Sequence, residues 1–140
     1  MADSVGNILN SSGEGSQTIE FKGKKYTASL ITQKVKADFE KSMEKKALDS
    51  IFTLKDRLEP VEFREAVSGV TRDIASGVYS FGSDNCVAFL TTPVGVLTFA
   101  SILFSAPENE MQELVLAEKE RFEAVMEIVR EKSFPNARRE

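Results

Sequence analysis

Few side chains in this 140-residue chain could do chemistry, since the sequence contains no histidine and one cysteine. Histidine is the commonest general base near neutral pH and the commonest ligand of transition metals. Nucleophilic catalysis would have to place Ser83, Ser101 or Cys86 beside a lysine or a carboxylate, and no motif marks such a pair. Cys86 borders an apolar run, which is typical of a small core residue. We therefore expect a protein that is not an enzyme and has no catalytic residues.

Residue spacing argues against two further kinds of site, a phosphate-binding loop and a carboxylate site. Gly23 and Lys24 resemble the end of a phosphate-binding loop, but Lys25 stands where serine or threonine is needed, and Thr18 occupies the upstream glycine position. Three glutamates near the C-terminus are spaced like a solvated helix face and not like a paired-carboxylate or cation site: Glu118, Glu120 and Glu123. The sequence predicts no cofactor and no metal.

The composition is that of an ordinary globular domain, with 41% hydrophobic and 29% charged residues. A net charge of −4 and interleaved lysines and glutamates argue against nucleic-acid binding, which needs a clustered basic surface. A single cysteine indicates a reducing, cytosolic setting, and the polar N-terminus lacks the apolar core of a secretory signal. What remains is interaction with other proteins.

The first part of the chain alternates polar segments with short periodic ones. Residues 1–17 are small and polar, and we expect a flexible arm. Alternating apolar residues on both sides of Gly23 predict a β-hairpin. An apolar stripe with Thr32 as N-cap predicts a helix that ends near Leu58. A second helix should begin at Pro60 and end at Gly77, where positive φ is favourable.

The longest uncharged stretch runs from Cys86 to Ala106 and should be the centre of the fold. Thr92 before Pro93 is typical of an N-cap followed by a helix-starting proline, so the stretch should divide into helices over 84–91 and 93–105. An amphipathic helix over 108–132 follows, and residues 137–140 form a charged tail. We predict a mainly α fold over 18–136, a single domain in which four to five helices surround the buried helix 93–105, with a small N-terminal hairpin.

A membrane span over 86–106 is the alternative interpretation of that stretch. Its length suffices for a roughly 30 Å hydrocarbon layer. Pro93 and Gly95 interrupt it, however, and the flanking residues are acidic and give no basic side to set an orientation. Burial in the protein, or in an oligomer, is the favoured interpretation.

In the order of several short segments, the chain resembles small helical proteins from the tail-gene clusters of tailed bacteriophages. These proteins are of the tail-assembly-chaperone kind. The resemblance covers most of residues 19–136. It is carried by Phe21–Tyr26, Leu30–Thr32, Ala37–Glu40, Ala47–Leu48, Ser76–Ser83, Thr92–Gly95 and Phe134–Asn136.

The resemblance implies a non-enzymatic protein that works in the host cytoplasm during virion assembly. Its partner would be the tape measure protein or another tail component, whose apolar helical surface it shields before the tail tube polymerises. The binding groove would be built from the apolar stripes of three helices, namely Phe39, Met43, Phe63, Val67, Phe122, Val125 and Met126. Whether the protein also forms a homo-oligomer is left open by the sequence.

The polar arm favours a second interpretation. A chaperone of this kind needs no ordered arm, whereas residues 1–17 and the hairpin would suit a structural virion protein of the tail, neck or head that clamps its neighbours. A small membrane-associated protein that inserts residues 86–106 is the lesser alternative.

Overall fold

A computed structural model of the protein describes residues 17–134. This part of the chain forms two strands and six α-helices: β1 (Thr18–Phe21), β2 (Lys24–Thr27), α1 (Gln33–Thr53), α2 (Pro60–Ala75), α3 (Asp84–Leu90), α4 (Pro93–Phe104), α5 (Glu108–Ala117) and α6 (Lys119–Ser133). A short 3-10 helix, Lys55–Arg57, follows α1. The prediction of a mainly α fold with an N-terminal hairpin is confirmed. The predicted arm, apart from Gln17, and the predicted tail lie outside the described residues.

The described residues divide into two compact units. Unit 1 comprises residues 17–35 and 97–134, and unit 2 comprises residues 36–96, so that the boundaries fall within α1 and α4. The prediction that residues 18–136 form a single domain stays a prediction.

The hairpin of unit 1 closes through a two-residue turn. Phe21 pairs with Lys24, and both turn residues, Lys22 and Gly23, have positive φ (53° and 78°). Two successive positive φ angles are what a type I′ turn requires, and that turn suits the twist of an antiparallel pair. Glycine adopts this conformation without a steric penalty, which explains why the turn forms at Gly23.

Unit 1 holds a dense apolar core. β1 packs against α6, and α6 packs against α5. Its fully buried large side chains come from β1, α4, α5 and α6: Ile19, Leu103, Met111, Leu114 and Val129. The Phe104 and Phe122 rings lie 6.2 Å apart between centroids. Burial of this apolar area is the dominant stabilising contribution to the unit.

Backbone hydrogen bonds tie the connecting segment after β2 into unit 1. The Ser29 amide donates to the Leu103 carbonyl at 3.0 Å, and the Ile31 amide donates to Ser133 Oγ at 2.9 Å. α1 then begins where predicted, because the Val35 amide donates to Thr32 Oγ1 at 3.2 Å. A capping side chain of this kind satisfies one of the unpaired amides at a helix start.

Unit 2 buries far less of its chain. Its buried apolar side chains are Phe39, Met43 and Cys86, and α2 contains no buried residue along its 16 residues. α2 is nevertheless well delimited: Pro60 is its first residue, the Glu59 amide donates to Glu62 Oε1 at 3.0 Å, and Gly77 (φ 83°) follows its C-cap. The predicted limits of this helix are confirmed.

The central apolar helix is α4, within one residue of its predicted limits. The Gly95 amide donates to Thr92 Oγ1 at 3.0 Å, so Thr92 is the predicted N-cap. The second half of α4 is buried at Thr98, Phe99, Ala100, Leu103 and Phe104. Its first turn is not, since Val94 is 51% exposed. The helix is therefore less completely buried than predicted: most residues of its second half are buried, but Ser101 and Ile102 are only partly covered.

The predicted helix 108–132 is two helices, α5 and α6, which meet at Glu118. In a continuous helix Glu118 would lie one turn after Leu114 and one turn before Phe122, both of which are buried. The break leaves the Glu118 side chain 32% exposed, with its carboxylate 3.9 Å from Arg121. A carboxylate in the apolar stripe would be costly to bury, which accounts for the interruption and for a sixth helix.

Among the helices between residues 17 and 134, no single one is both long and apolar enough to cross a membrane. α3 and α4 meet criteria of length and composition only as a pair, and they are bent by 94° at the break between them.

Candidate interaction site

An open pocket of about 260 Å³ lies within unit 2. It is formed by the middle of α1, by α3 and by the segment between α2 and α3, and its lining is mostly apolar. The lining residues are Met43, Lys46, Ala47, Tyr79, Asn85 and Phe89. Pockets for drug-sized ligands and cofactors span about 300–1,000 Å³. This one is of a size to take one or two apolar side chains.

An aromatic cluster supports one wall of the pocket. The Phe39 ring stacks on Phe89 at 5.8 Å and meets Phe81 edge-on at 6.1 Å. The Phe81 amide donates to Glu40 Oε2 at 2.7 Å, which fixes the connecting segment against α1. Such aromatic pairs contribute about 0.5–1.5 kcal/mol beyond their buried area. Phe89 is therefore held in place before any ligand arrives.

Local backbone features place the two sides of the pocket. Gly77 and Gly82 have positive φ (83° and 90°) at the two ends of the segment that carries Tyr79. Ser83 caps α3, since its Oγ accepts a hydrogen bond from the Cys86 amide at 3.2 Å. α3 then presents Asn85 and Phe89, one turn apart, to the pocket.

The turn from α3 to α4 depends on a close approach at Gly95. A Cβ built at Gly95 would lie 1.9 Å from the Phe89 carbonyl oxygen. The same carbonyl accepts hydrogen bonds from the Thr92 amide and from Thr92 Oγ1, at 3.0 and 2.6 Å. Only glycine allows the backbone of α4 to pass the end of α3 at this distance.

The polar groups at the pocket are few. Lys46 contributes its side chain to the lining and forms no ion pair within residues 17–134. Asn85 Nδ2 donates weakly to the Val78 carbonyl at 3.4 Å. A lysine beside an apolar pocket favours a partner that brings an acidic residue next to its apolar one.

The seven residues predicted to bind a partner are distributed over both units. Met43 lines the pocket, and Phe39 lies behind it in the aromatic cluster. Phe63 and Val67 lie half-exposed on α2, outside the pocket lining. In unit 1, Phe122 and Val125 are buried in the core and Met126 is half-buried. As the chain is folded here, the two buried residues of unit 1 present no surface to a partner.

Sequence reasoning missed Tyr79, Asn85 and Phe89 as pocket residues. Helical spacing singles out stripes on long helices, whereas these three residues come from a connecting segment and a helix of seven residues. The available signal was the pair of aromatic residues, Tyr79 and Phe81, in the short segment between the second and third helices.

The residues considered for catalysis have structural contacts. Cys86 is buried, Ser83 caps α3, and Ser101 Oγ donates to the Ala106 carbonyl. Within residues 17–134, no group of three or more His, Cys, Asp or Glu side chains is arranged to hold a metal ion. The prediction of a non-enzymatic protein stays a prediction.

Three titratable groups join the hairpin of unit 1 to α5. Glu110 Oε1 accepts hydrogen bonds from Lys24 Nζ at 3.1 Å and from the Tyr26 hydroxyl at 2.9 Å. Both hydrogen bonds lower the pKa of the Glu110 carboxyl, and the bond from Lys24 has the larger effect. The pKa of Lys24 is raised by the same hydrogen bond, and that of Tyr26 is raised by burial and then by Glu110. The triad joins β2 to α5 and is structural.

Comparison of the chain with protein-family models, with curated proteins and with solved structures finds no match. The resemblance to phage tail proteins stays a prediction, and the case for function depends on the geometry of unit 2.

Proposed function

We propose that this protein is a non-enzymatic assembly protein that binds another protein through the pocket of unit 2. The observation that carries the proposal is the pocket itself, which is open, mostly apolar and small, with Met43 and Phe89 in its lining. A helix that places one apolar side chain in the pocket would be recognised as an amphipathic helix is in a groove. An acidic residue one turn away on that helix would pair with Lys46.

The partner we propose is the tape measure protein of a tailed bacteriophage, as the resemblance of the sequence implies. The protein would act in the host cytoplasm, where it shields apolar helical surface until the tail tube polymerises. The weakly packed unit 2 supports this role, because a surface that must release its partner is expected at the less stable end of a structure.

Co-expression with the tape measure protein tests the pocket. We expect the two proteins to copurify, and Ala47→Glu, which places a carboxylate in the pocket lining, to abolish copurification. Ala124→Glu is the matched control, since Ala124 is exposed on α6 in unit 1, and it should copurify as the unmodified chain does. Equal copurification of both variants would contradict the proposed site.

Mass spectrometry of purified particles separates the chaperone from the structural alternative. A chaperone should be absent from the finished particle, or present far below the amount of the tail proteins. A tail, neck or head subunit that uses its arm and hairpin should be present in stoichiometric amount. The second result would overturn the chaperone proposal while leaving the pocket as a subunit contact.

A further inference from the structure

One wall of the pocket in unit 2 comes from a connecting segment and not from a helix. Residues 78–83 run from the end of α2 to the start of α3, and we call them the strap. Tyr79, which is half-buried, is the strap residue that lines the pocket. Within residues 17–134, Tyr79 itself forms no hydrogen bond. The position of its ring therefore depends on how the rest of the strap is held.

Interactions of three kinds tie Phe81 of the strap to α1. The Phe81 amide donates a hydrogen bond to Glu40 Oε2 at 2.7 Å. The Phe81 ring meets Phe39 edge-on at 6.1 Å between centroids, and Lys36 Nζ lies 5.8 Å from the centroid of the Phe81 ring. Because a hydrogen bond to a charged acceptor is stronger than one between neutral groups, the Glu40 carboxylate is a firm anchor for the strap.

Helical spacing places the anchor and the pocket on the same face of α1. Lys36, Phe39 and Glu40 lie within one turn, and Met43 continues their face one turn later, where it lines the pocket. Neither Glu40 nor Phe81 belongs to the pocket lining. Both can therefore act on the pocket only through the residues that they hold in place.

Backbone hydrogen bonds within the strap are local. The Ser80 amide donates to the Gly77 carbonyl at 3.1 Å, and the Ser83 amide donates to the Ser80 carbonyl at 3.0 Å. Successive turns of this kind set the shape of the strap, but they do not tie it to α1. The contact between Glu40 and Phe81 does so, two residues after Tyr79.

We propose that Glu40 is a positioning residue of the pocket: by holding Phe81, its carboxylate keeps Tyr79 in the wall against which the side chain of the partner packs. This role rests on the proposed function, since it gives the anchor a task in partner binding. With the wall fixed before binding, association does not include the entropic cost of ordering it. A strap that is in place for only a fraction of the time lowers the apparent affinity by that fraction.

Acrylamide quenching of tyrosine fluorescence tests the anchor without any partner. The chain has two tyrosines and no tryptophan, so Tyr79 is the only tyrosine in a Tyr26→Phe background. In that background Glu40→Met, which lacks a strong acceptor, should raise the quenching constant of Tyr79. Glu40→Gln is nearly the same size, also loses the charge and keeps an acceptor oxygen, so it should stay close to the background chain.

The controls separate the anchor from a general loss of structure. Methionine and glutamine are both good helix formers, so circular dichroism should show an unchanged helix content in both variants. Glu65→Met makes the same substitution at an exposed position of α2 and should leave the quenching of Tyr79 unchanged. Glu40→Ala is the second variant and should behave as Glu40→Met does. Equal quenching in the methionine, alanine and glutamine variants of Glu40 would overturn the inference.

A binding titration with the tape measure protein measures the consequence for the pocket. Glu40→Met should weaken binding about tenfold, as expected for the loss of one hydrogen bond, and Glu40→Gln should restore most of the affinity. If Glu40→Met raises the quenching of Tyr79 but binds as the unmodified chain does, the anchor has no task in binding; the inference is then overturned and the proposed function stands. If the unmodified chain itself does not bind, the proposed function fails and the role of Glu40 in binding falls with it, whereas the quenching contrast still shows whether Glu40 holds the strap.

Discussion

Helices α2 and α6 have the same kind of sequence and opposite surroundings. Each is an amphipathic helix of about 15 residues with aromatic and β-branched residues in its stripe. α6 buries its stripe at Phe122, Val125 and Val129, whereas α2 buries nothing. Among residues 17–134, all buried apolar side chains except Phe39, Met43 and Cys86 belong to unit 1.

The difference assigns different tasks to the two units. Unit 1 covers most of its own apolar surface, and such burial is the main source of folding free energy. Unit 2 leaves a pocket open and buries no residue of α2 completely, and the pocket is the surface on which we place a partner. An amphipathic stripe therefore does not by itself distinguish a core from an interface; the packing of neighbouring elements decides which one it is.

The largest effect should come from deleting a core side chain of unit 1. Leu114 on α5 is fully buried, and Leu114→Ala should lower the free energy of unfolding by about 2–5 kcal/mol through lost burial and a cavity. Leu116, two residues further along the same helix, is 77% exposed. Leu116→Ala should change stability by less than about 0.5 kcal/mol.

Urea denaturation followed by circular dichroism measures both variants. If the two cost the same, the dense core of unit 1 would not exist as described, and the contrast between the units would be lost.

Replacing two helical glycines of unit 2 by alanine should change the stability less, and in opposite directions. Gly95→Ala forces a methyl group against the Phe89 carbonyl and should destabilise by about 1–3 kcal/mol. At Gly69 on α2 a Cβ meets nothing within 4 Å, so Gly69→Ala should stabilise by about 0.5–1 kcal/mol through helix propensity.

Thermal unfolding of the two variants decides whether unit 2 is uniformly loose. A destabilising Gly95→Ala together with a stabilising Gly69→Ala would show a tight contact at the α3–α4 turn beside an open α2. A destabilising Gly69→Ala would mean that α2 packs on its far side, and the comparison with α6 would fail.

Local features of the fold could be predicted from the sequence because their causes are local. The hairpin turn at Gly23, the caps at Thr32 and Thr92, and the end of α2 at Gly77 each depend on a few adjacent residues. The helix break at Glu118 was missed, although the clue was present: a carboxylate falls in the apolar stripe between Leu114 and Phe122.

The candidate site was less predictable, because it depends on which apolar helix stripes are covered by other elements of the fold. Phe122 and Val125 have the spacing expected of a binding face, but β1 packs against α6 and they are buried. The pocket residues Tyr79 and Phe89 lie on short elements, where periodicity carries no signal. Only the packing of these segments against α1 brings them to Met43.

The smallest effect concerns the hairpin anchor of unit 1 and has a defined pH dependence. Because hydrogen bonds from Lys24 and Tyr26 lower the pKa of the Glu110 carboxyl, this group stabilises the fold fully above its ordinary pKa of 4.5. The contribution is lost as the pH falls through the lower pKa of the folded state, where the carboxyl becomes protonated. Glu110→Gln should therefore unfold more easily than the unmodified chain at neutral pH, and the difference should shrink in acid.

Urea unfolding at neutral pH and at a pH well below 4.5 measures that difference. Glu113→Gln is the matched control, one turn along α5, where the ion pair with Lys22 is 3.1 Å long and largely exposed. Its effect at neutral pH should be small, because solvent screens such pairs. A Glu110→Gln effect that is as large in acid as at neutral pH would mean that the carboxylate is not what holds β2 to α5. Burial of Ile19 and Tyr26 would then be the main contribution that holds the hairpin.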